Sequence, residues 1–561
     1  MGSNSFLAIG TAGLVAAAAA TTVIVTQTPS ATTATAPATT AVVTDGDAAR
    51  LAKQATFGPT PAVIARIKAL GIDGWLDEQF AARTSSFEDL AGLAVRNSYC
   101  SIEEKANPYC TRIRRDSVLP AMRFYSNALN NDDQLRQRVA LALFNIMPVS
   151  ALKVSDTAAL ARYQQIMLDN AFGNFGDLLK SVITSGAMGS YLDHANSTAA
   201  ARNENFGREL VQLFSIGTNK MNADGWLRRD KSTGAFEANY TPKDVSEISR
   251  ALTGWTYTRF PNTRPTDTGV SDLSRPMVMN AVAFDAGSKT FLGSTIPAGG
   301  TPETNVDAVV KRLVGDFSMS PRITLLLIRA LVKSNPSPDY INRASRAFRN
   351  NGKGVAGDLR ALVRAILTDP EARTPDLTAK GGKLKDPILL SLALARAVNM
   401  KSDGYAFTVR DVQMGQQFLR APSIFNDYPD DYPVAGSTKY VSGPSKLMTV
   451  PLIMERHNFV WQWAMNGDVA RAEYQTPNWV PNRSPTVQDW AQWEAFGDDV
   501  SGMVDRIDLL LLNKSMTETQ RAALTKAMTL VTDPSPALRA RRRAQTGLFI
   551  VASSPQFQID R

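Results

Sequence analysis

The chain has 561 residues, 44 % hydrophobic and 20 % charged, which suits a globular protein able to bury a large core. It carries 61 basic against 52 acidic side chains, a net charge of +9, and only two histidines, His194 and His457. A three-histidine zinc site is therefore excluded, and the basic excess is too dispersed for a nucleic-acid face, Arg539, Arg541, Arg542 and Arg543 reading as a solvated helix surface.

The first element is the uncharged apolar run 6-FLAIGTAGLVAAAAATTVIV-25, followed by a Thr/Ala/Pro-rich stretch over 26–45. The run is long enough to cross a bilayer, and the stretch behind it cannot build a core. Residues 1–25 read as a signal peptide or signal anchor and 26–45 as a linker. The protein is thus expected to be exported: periplasmic, envelope-anchored or secreted. It would touch membrane only through the N-terminal segment, if that stays uncleaved. Further on, Cys100 and Cys110 close the loop 100-CSIEEKANPYC-110, and two cysteines so placed in an exported chain predict a disulfide.

From there the pattern is helical. The segment 60-TPAVIARIKALGIDGWLDEQF-80 sets apolar residues at 63, 64, 67, 70, 75, 76 and 80, a helical spacing. Thr60-Pro61 marks a helix start, repeated at Thr241-Pro242, and Gly71, Gly217 and Gly254 mark helix ends. Three stretches, 218–240, 255–302 and 415–446, are rich in turn formers and read as long loops with at most short β-hairpins. Asp427, Asp430 and Asp431, beside Pro429 and Pro433, read as turn formers within the third. The fold class is mainly α: residues 46–561 form one large multi-helix domain, with room for two lobes meeting near 300–305.

No nucleophile elbow, phosphate loop or H-E-x-x-H pair occurs, and no cofactor or metal is assigned. The densest polar cluster is 202-RNENFGRELVQLFSIG-217. On a helical wheel Phe206, Leu210, Leu213 and Phe214 form a core stripe, with Asn205, Arg208, Glu209 and Gln212 on a polar face. Asn203 is the expected N-cap, Glu204 suits the positive helix end, and Arg208 lies one turn on from it. Glu209 borders the apolar stripe, where a carboxylate must find partners or shift its pKa. Just upstream, 190-SYLDHANS-197 offers Asp193, His194 and Asn196 in a turn. These groups read either as a buried network tying helices together or as a cleft. In the second case Glu209, Glu204 and Asp193 are the catalytic candidates, and Asn203, Asn205, Arg208, His194 and Asn196 are candidates for binding.

At these residues the chain resembles a known family. The carrying segments are 55-ATFGPT-60, 201-ARNENFGRELVQLFSIG-217, 241-TPKDVSEISRALTGW-255, 289-KTFLG-293, 422-PSIFNDYPDDYP-433, 503-MVDRIDLLLLNKSM-516 and 547-GLFIVASSPQFQ-558. In that order, over about residues 48 to 561, they resemble the bacterial domain of unknown function 1800. The resemblance implies an exported, mostly helical protein, often encoded beside a second exported family that resembles sulfatases, and it supplies no reaction. Where relatives carry Trp-His-Asn-His-Phe after an Arg-x-Arg helix, Phe144 and Ile146 occupy the histidine positions. Where they carry a histidine–aspartate pair, this chain has Phe284-Asp285, with Asp285 and Lys289 retained as candidate binding residues.

Two classes of function follow. The favoured one is a scaffold or binding protein of the cell envelope, working with a co-exported, sulfatase-like partner. The alternative is a hydrolase of glycans or esters, needing two carboxyls about 5–10 Å apart in one cleft, or a carboxylate-rich metal protein.

Overall fold

Helix starts in this chain are written as a hydroxyl or carboxylate followed by proline. Thr60, Thr241, Thr301, Ser337, Asp386 and Ser535 each accept a backbone N–H of the following helix, whose first residue is proline. The side chain satisfies one orphan donor and proline presets φ where no N–H is needed, about 1 kcal/mol per cap. At Thr241 the cap is reciprocal, since the Asp244 carboxylate takes the Thr241 N–H at 2.8 Å.

The computed structural model describes residues 42–93, 109–260, 270–378, 381–466 and 471–561. The apolar N-terminal run, most of the linker behind it and Cys100 lie outside these residues. So does the pairing of Cys100 with Cys110, which opens a short helix, Cys110–Arg114. Among the described residues the fold is mainly α, and no helix is long and apolar enough to cross a membrane.

Residues 42–561 form one compact unit around a continuous core that runs from Ala48 to Phe557 and buries Trp75, Trp463 and Trp493. Gly71 breaks the Pro61–Ala81 span as expected: at φ 71° and ψ 171° it is non-helical and separates two helical stretches at a kink, and nothing crowds the position. Glycine absorbs the left-handed turn without a steric penalty, so the apolar face can re-aim and bury Trp75, Leu76 and Phe80.

The three long loops are irregular, with short ladders only. Isolated bridges cross 218–240, while 255–302 carries three two-stranded antiparallel pairs. The last pair, Lys383–Leu384 with Ile559–Asp560, joins the middle of the chain to its end. Asp560 is buried there, 2.6 Å from Lys385 Nζ. Burial opposes its charge, but Lys385, Lys53 and Lys383 outweigh that and hold its carboxyl below the usual range.

Candidate functional site

The segment 202–217 forms a helix over Asn205–Gln212. Its N-cap position is Glu204, without a side-chain capping bond, rather than Asn203. Asn203 acts one step earlier: its Oδ1 accepts the Asn205 N–H at 2.8 Å, a turn that short Asx side chains form two residues on. Asn205 Nδ2 in turn reaches the Leu192 carbonyl at 3.5 Å. Glu204 stands 3.8 Å from both Arg202 and Arg208, two loose, exposed pairs. Phe206, Leu210 and Phe214 enter the core as the wheel requires, and Leu213 is half-buried.

Glu209 is half-buried as well. Its Oε2 is shut off from solvent with no hydrogen-bond partner, and burial pushes its carboxyl up against the opposing pull of Arg208. His194 is a core side chain, 3 % exposed, stacked on Phe206 with ring centroids 4.6 Å apart. Burial drives its pKa down to about 4 against one bond to the Ile183 backbone, and Nε2 has no partner. Asp193 and Asn196 hold positive φ, 56° and 63°, at the turn that swings the chain into the helix. Asp193 receives Lys153 Nζ at 2.8 Å on each oxygen. Asn196 donates its N–H to the Trp255 carbonyl at 2.7 Å and accepts the Thr256 hydroxyl.

Asp285 and Lys289 belong to another network. Arg250 grips Asp285 with Nε at 2.8 Å and Nη2 at 3.1 Å, which holds that carboxyl below its ordinary range. Buried Lys289 donates to the Asp285 and Gly287 carbonyls and lies over the Phe284 ring. The candidates thus meet as small local sets, and each of Asp193, Glu204 and Glu209 has a setting of its own. Among the described residues no group of three or more His, Cys, Asp or Glu side chains is placed to hold a metal.

A cavity of about 140 Å³ lies elsewhere, and none of those ten residues lines it. Its walls come from the helices Gln134–Ile146 and Met319–Leu331, from the strand Lys383–Leu384 with Asp386 just beyond it, and from residues 424–430 and 443–444 of the third long loop. Four cations face it, Arg138, Arg322, Arg329 and Lys383, against two carboxylates, Asp386 and Asp430. Both carboxylates are engaged. Asp430 pairs with Arg329, and Asp386 accepts the Leu389 N–H and the Tyr428 hydroxyl, each at 2.8 Å. Gly443 makes that closure feasible, since a Cβ there would come within 2.5 Å of the Tyr428 ring.

Among the described residues the remaining cations hydrogen-bond only to carbonyls, and Arg138 also lies over the Phe57 ring, 5.5 Å from its centroid. Arg138 Nη2 reaches the Ala330 carbonyl at 3.4 Å, and Lys383 Nζ reaches the same oxygen at 2.7 Å. Arg322 Nη2 takes the Gln212 and Leu213 carbonyls at 3.2 and 3.3 Å, at the negative end of the Asn205–Gln212 helix. The Nε atoms of Arg138 and Arg322 are buried without partners. Burial pushes Lys383 down to about 7, helped by Arg138 and Lys385 and opposed by Asp560 and Asp386. Behind the wall, burial and then Asp386 raise Asp427 to about 7.

Sequence reasoning passed over this cavity although its signals were in view. Arg138 belongs to the Arg-x-Arg pattern, Ile146 to the altered histidine motif, and 424–430 to the PSIFNDYPDDYP segment. Phe144, the other altered position, is buried against Tyr163 and Phe418. One protein-family model, described as Protein of unknown function (DUF1800), matches residues 50–559. No curated protein and no solved structure matches the chain.

Proposed function

The chain belongs to the DUF1800 family of proteins of unknown function, and from that premise we propose that it is an exported binding or scaffold protein of the cell envelope. In this reading it works with a co-exported, sulfatase-like partner. The observation that carries the reading is where large apolar side chains stand in water. All three long loops expose them: Trp226, 65 % exposed, with Leu227 and Phe236 on the first; Val278, Met279 and Val282, 98 % exposed, on the second; and Phe425 with Tyr440 on the third. Apolar side chains gathered on irregular excursions mark contact surfaces more than a folding requirement. The apolar leader and its linker support export, and a Cys100–Cys110 disulfide would accompany it.

The hydrolase alternative has less support, because it needs two carboxyls sharing one cleft. Asp193 is taken up by Lys153 and Glu204 by flanking arginines, which leaves Glu209 without a second carboxylate among its partners.

The test is affinity capture from the envelope fraction of the native host, with the wild-type chain and a Trp226→Ser/Phe236→Ser double variant. The reading expects a stoichiometric partner on the wild type, depleted at least tenfold on the variant. Repeated recovery of the wild-type chain alone from that fraction, or its absence from the fraction, would sink it.

A further inference from the structure

We infer that the cavity beneath the third long loop is a binding site for a compact oxyanion group: a carboxylate, sulfate or phosphate carried by a small molecule. This goes beyond the partner-binding reading and does not depend on it, since a chain that captures no envelope partner would still hold an anion there.

The cavity wall carries unmet donors. Taking a cation out of water costs several kcal/mol unless a counter-charge and hydrogen bonds replace the lost hydration. Arg138, Arg322 and Lys383 all face the cavity, and their hydrogen-bond partners among the described residues are backbone carbonyls, not carboxylates. Arg138 is 3 % exposed, and its Nε and that of Arg322 have no acceptor at all. The two carboxylates in the wall hydrogen-bond elsewhere, Asp430 to Arg329 and Asp386 to Tyr428 and the Leu389 N–H, so Asp386 lends Arg138 and Lys383 its charge from a distance but no hydrogen bond. The wall therefore has a surplus of donors and of positive charge, and an anion supplies both missing quantities at once.

The residue types narrow the ligand. A guanidinium presents planar, paired N–H groups that match the oxygens of a carboxylate, sulfate or phosphate, whereas a lone ammonium gives no such fit. A volume of about 140 Å³ admits a small group rather than a polymer. The lining also includes apolar Leu141, Ile146, Leu326 and Ile424, so the remainder of the ligand is expected to be hydrocarbon. Lys383 adds a further link. Its ammonium is depressed by burial and by Arg138 and Lys385, with Asp560 and Asp386 pulling the other way, so an anion beside it favours the protonated form.

The experiment is isothermal titration of the chain with sodium acetate, sodium sulfate and sodium phosphate in separate arms at pH 7. Sodium chloride of matched ionic strength serves as the blank, because sulfate and phosphate also stabilise proteins without binding a site. Saturable 1:1 binding is expected in at least one arm, and the arm identifies the headgroup. Arg322→Met should weaken it at least tenfold, with Arg322→Lys intermediate because the charge stays while the fork is lost. Ile146→Glu, which places a carboxylate against the same cations, should abolish it and covers the case in which the arginine variants fail to fold. No saturable heat in any arm overturns the proposal. So does wild-type affinity in folded Arg322→Met or Ile146→Glu protein.

Discussion

The Asn205–Gln212 helix and the cavity beneath residues 424–430 are opposites in one respect. The helix region is crowded with polar residues in sequence, yet most of them are accounted for in space: Asn203 turns the chain, Asp193 pairs with Lys153, and His194 packs on Phe206. The cavity draws its charges from segments hundreds of residues apart, and several cations share one wall there while two of them keep a buried Nε without an acceptor. Density of polar residues along a chain measures local wiring, and a site is better sought where donors remain unspent after folding. The two regions touch, because Arg322 faces the cavity while bonding the last carbonyls of the helix.

That contrast can be broken in several ways. The largest effect is expected at Asp386. It is buried, caps the Pro387–Ala397 helix and receives the Tyr428 hydroxyl. Asp386→Ala should cost about 3–5 kcal/mol in urea unfolding, by stripping counter-charge from buried Arg138 and Lys383 and orphaning Tyr428. If it costs no more than a surface substitution, the account of the cavity wall is wrong.

Next is the acid response of His194. Its folded value, about 4, lies below the ordinary 6.5, so as pH falls the unfolded chain takes up the proton first. Its contribution is complete above about 6.5 and drains as pH drops toward 4, by about 3 kcal/mol in all. His194→Phe should flatten the unfolding free energy of the protein across that window relative to wild type. An unchanged slope would remove His194 from the core.

Glu209 sharpens the comparison from the helix side. Burial disfavours its charge, and Oε2 gains no hydrogen bond in return. Glu209→Gln should therefore leave stability at pH 7 unchanged or raise it by up to about 1 kcal/mol. A larger loss would show that its carboxylate does more than border the core. Smallest of all is Glu204→Ala, under about 0.5 kcal/mol, since its two ion pairs are exposed and loose.

Much of the fold is legible in the residues themselves. Thr60-Pro61 and Thr241-Pro242 start helices where the text says they should, and Phe206, Leu210 and Phe214 bury the stripe that their spacing draws. Local rules succeed because caps and stripes are decided within a few residues. They slip by one residue at Asn203, where an Asx turn competes with capping, and hold at Gly71, whose non-helical backbone divides two helical stretches. The cavity is a different matter. Arg138, Arg322 and Lys383 are ordinary exposed-type residues by composition, and only the folded arrangement takes them out of water and leaves their hydrogen bonds to backbone carbonyls. Asp386 caps its helix by the same local rule as Thr60, but its hydroxyl partner, Tyr428, lies 42 positions away.

The strand pair that joins Lys383–Leu384 to Ile559–Asp560 also sets a timetable. Lys385, between the lining residues Leu384 and Asp386, bonds the Phe557 carbonyl 172 positions further along. At about 5–20 residues per second, synthesis leaves that edge unmade for roughly 10–30 s. Throughout that interval Lys383 lacks its strand partner and Lys385 lacks the Asp560 carboxylate. The strand that supplies Lys383 to the cavity is therefore completed only when the last residues of the chain have been made.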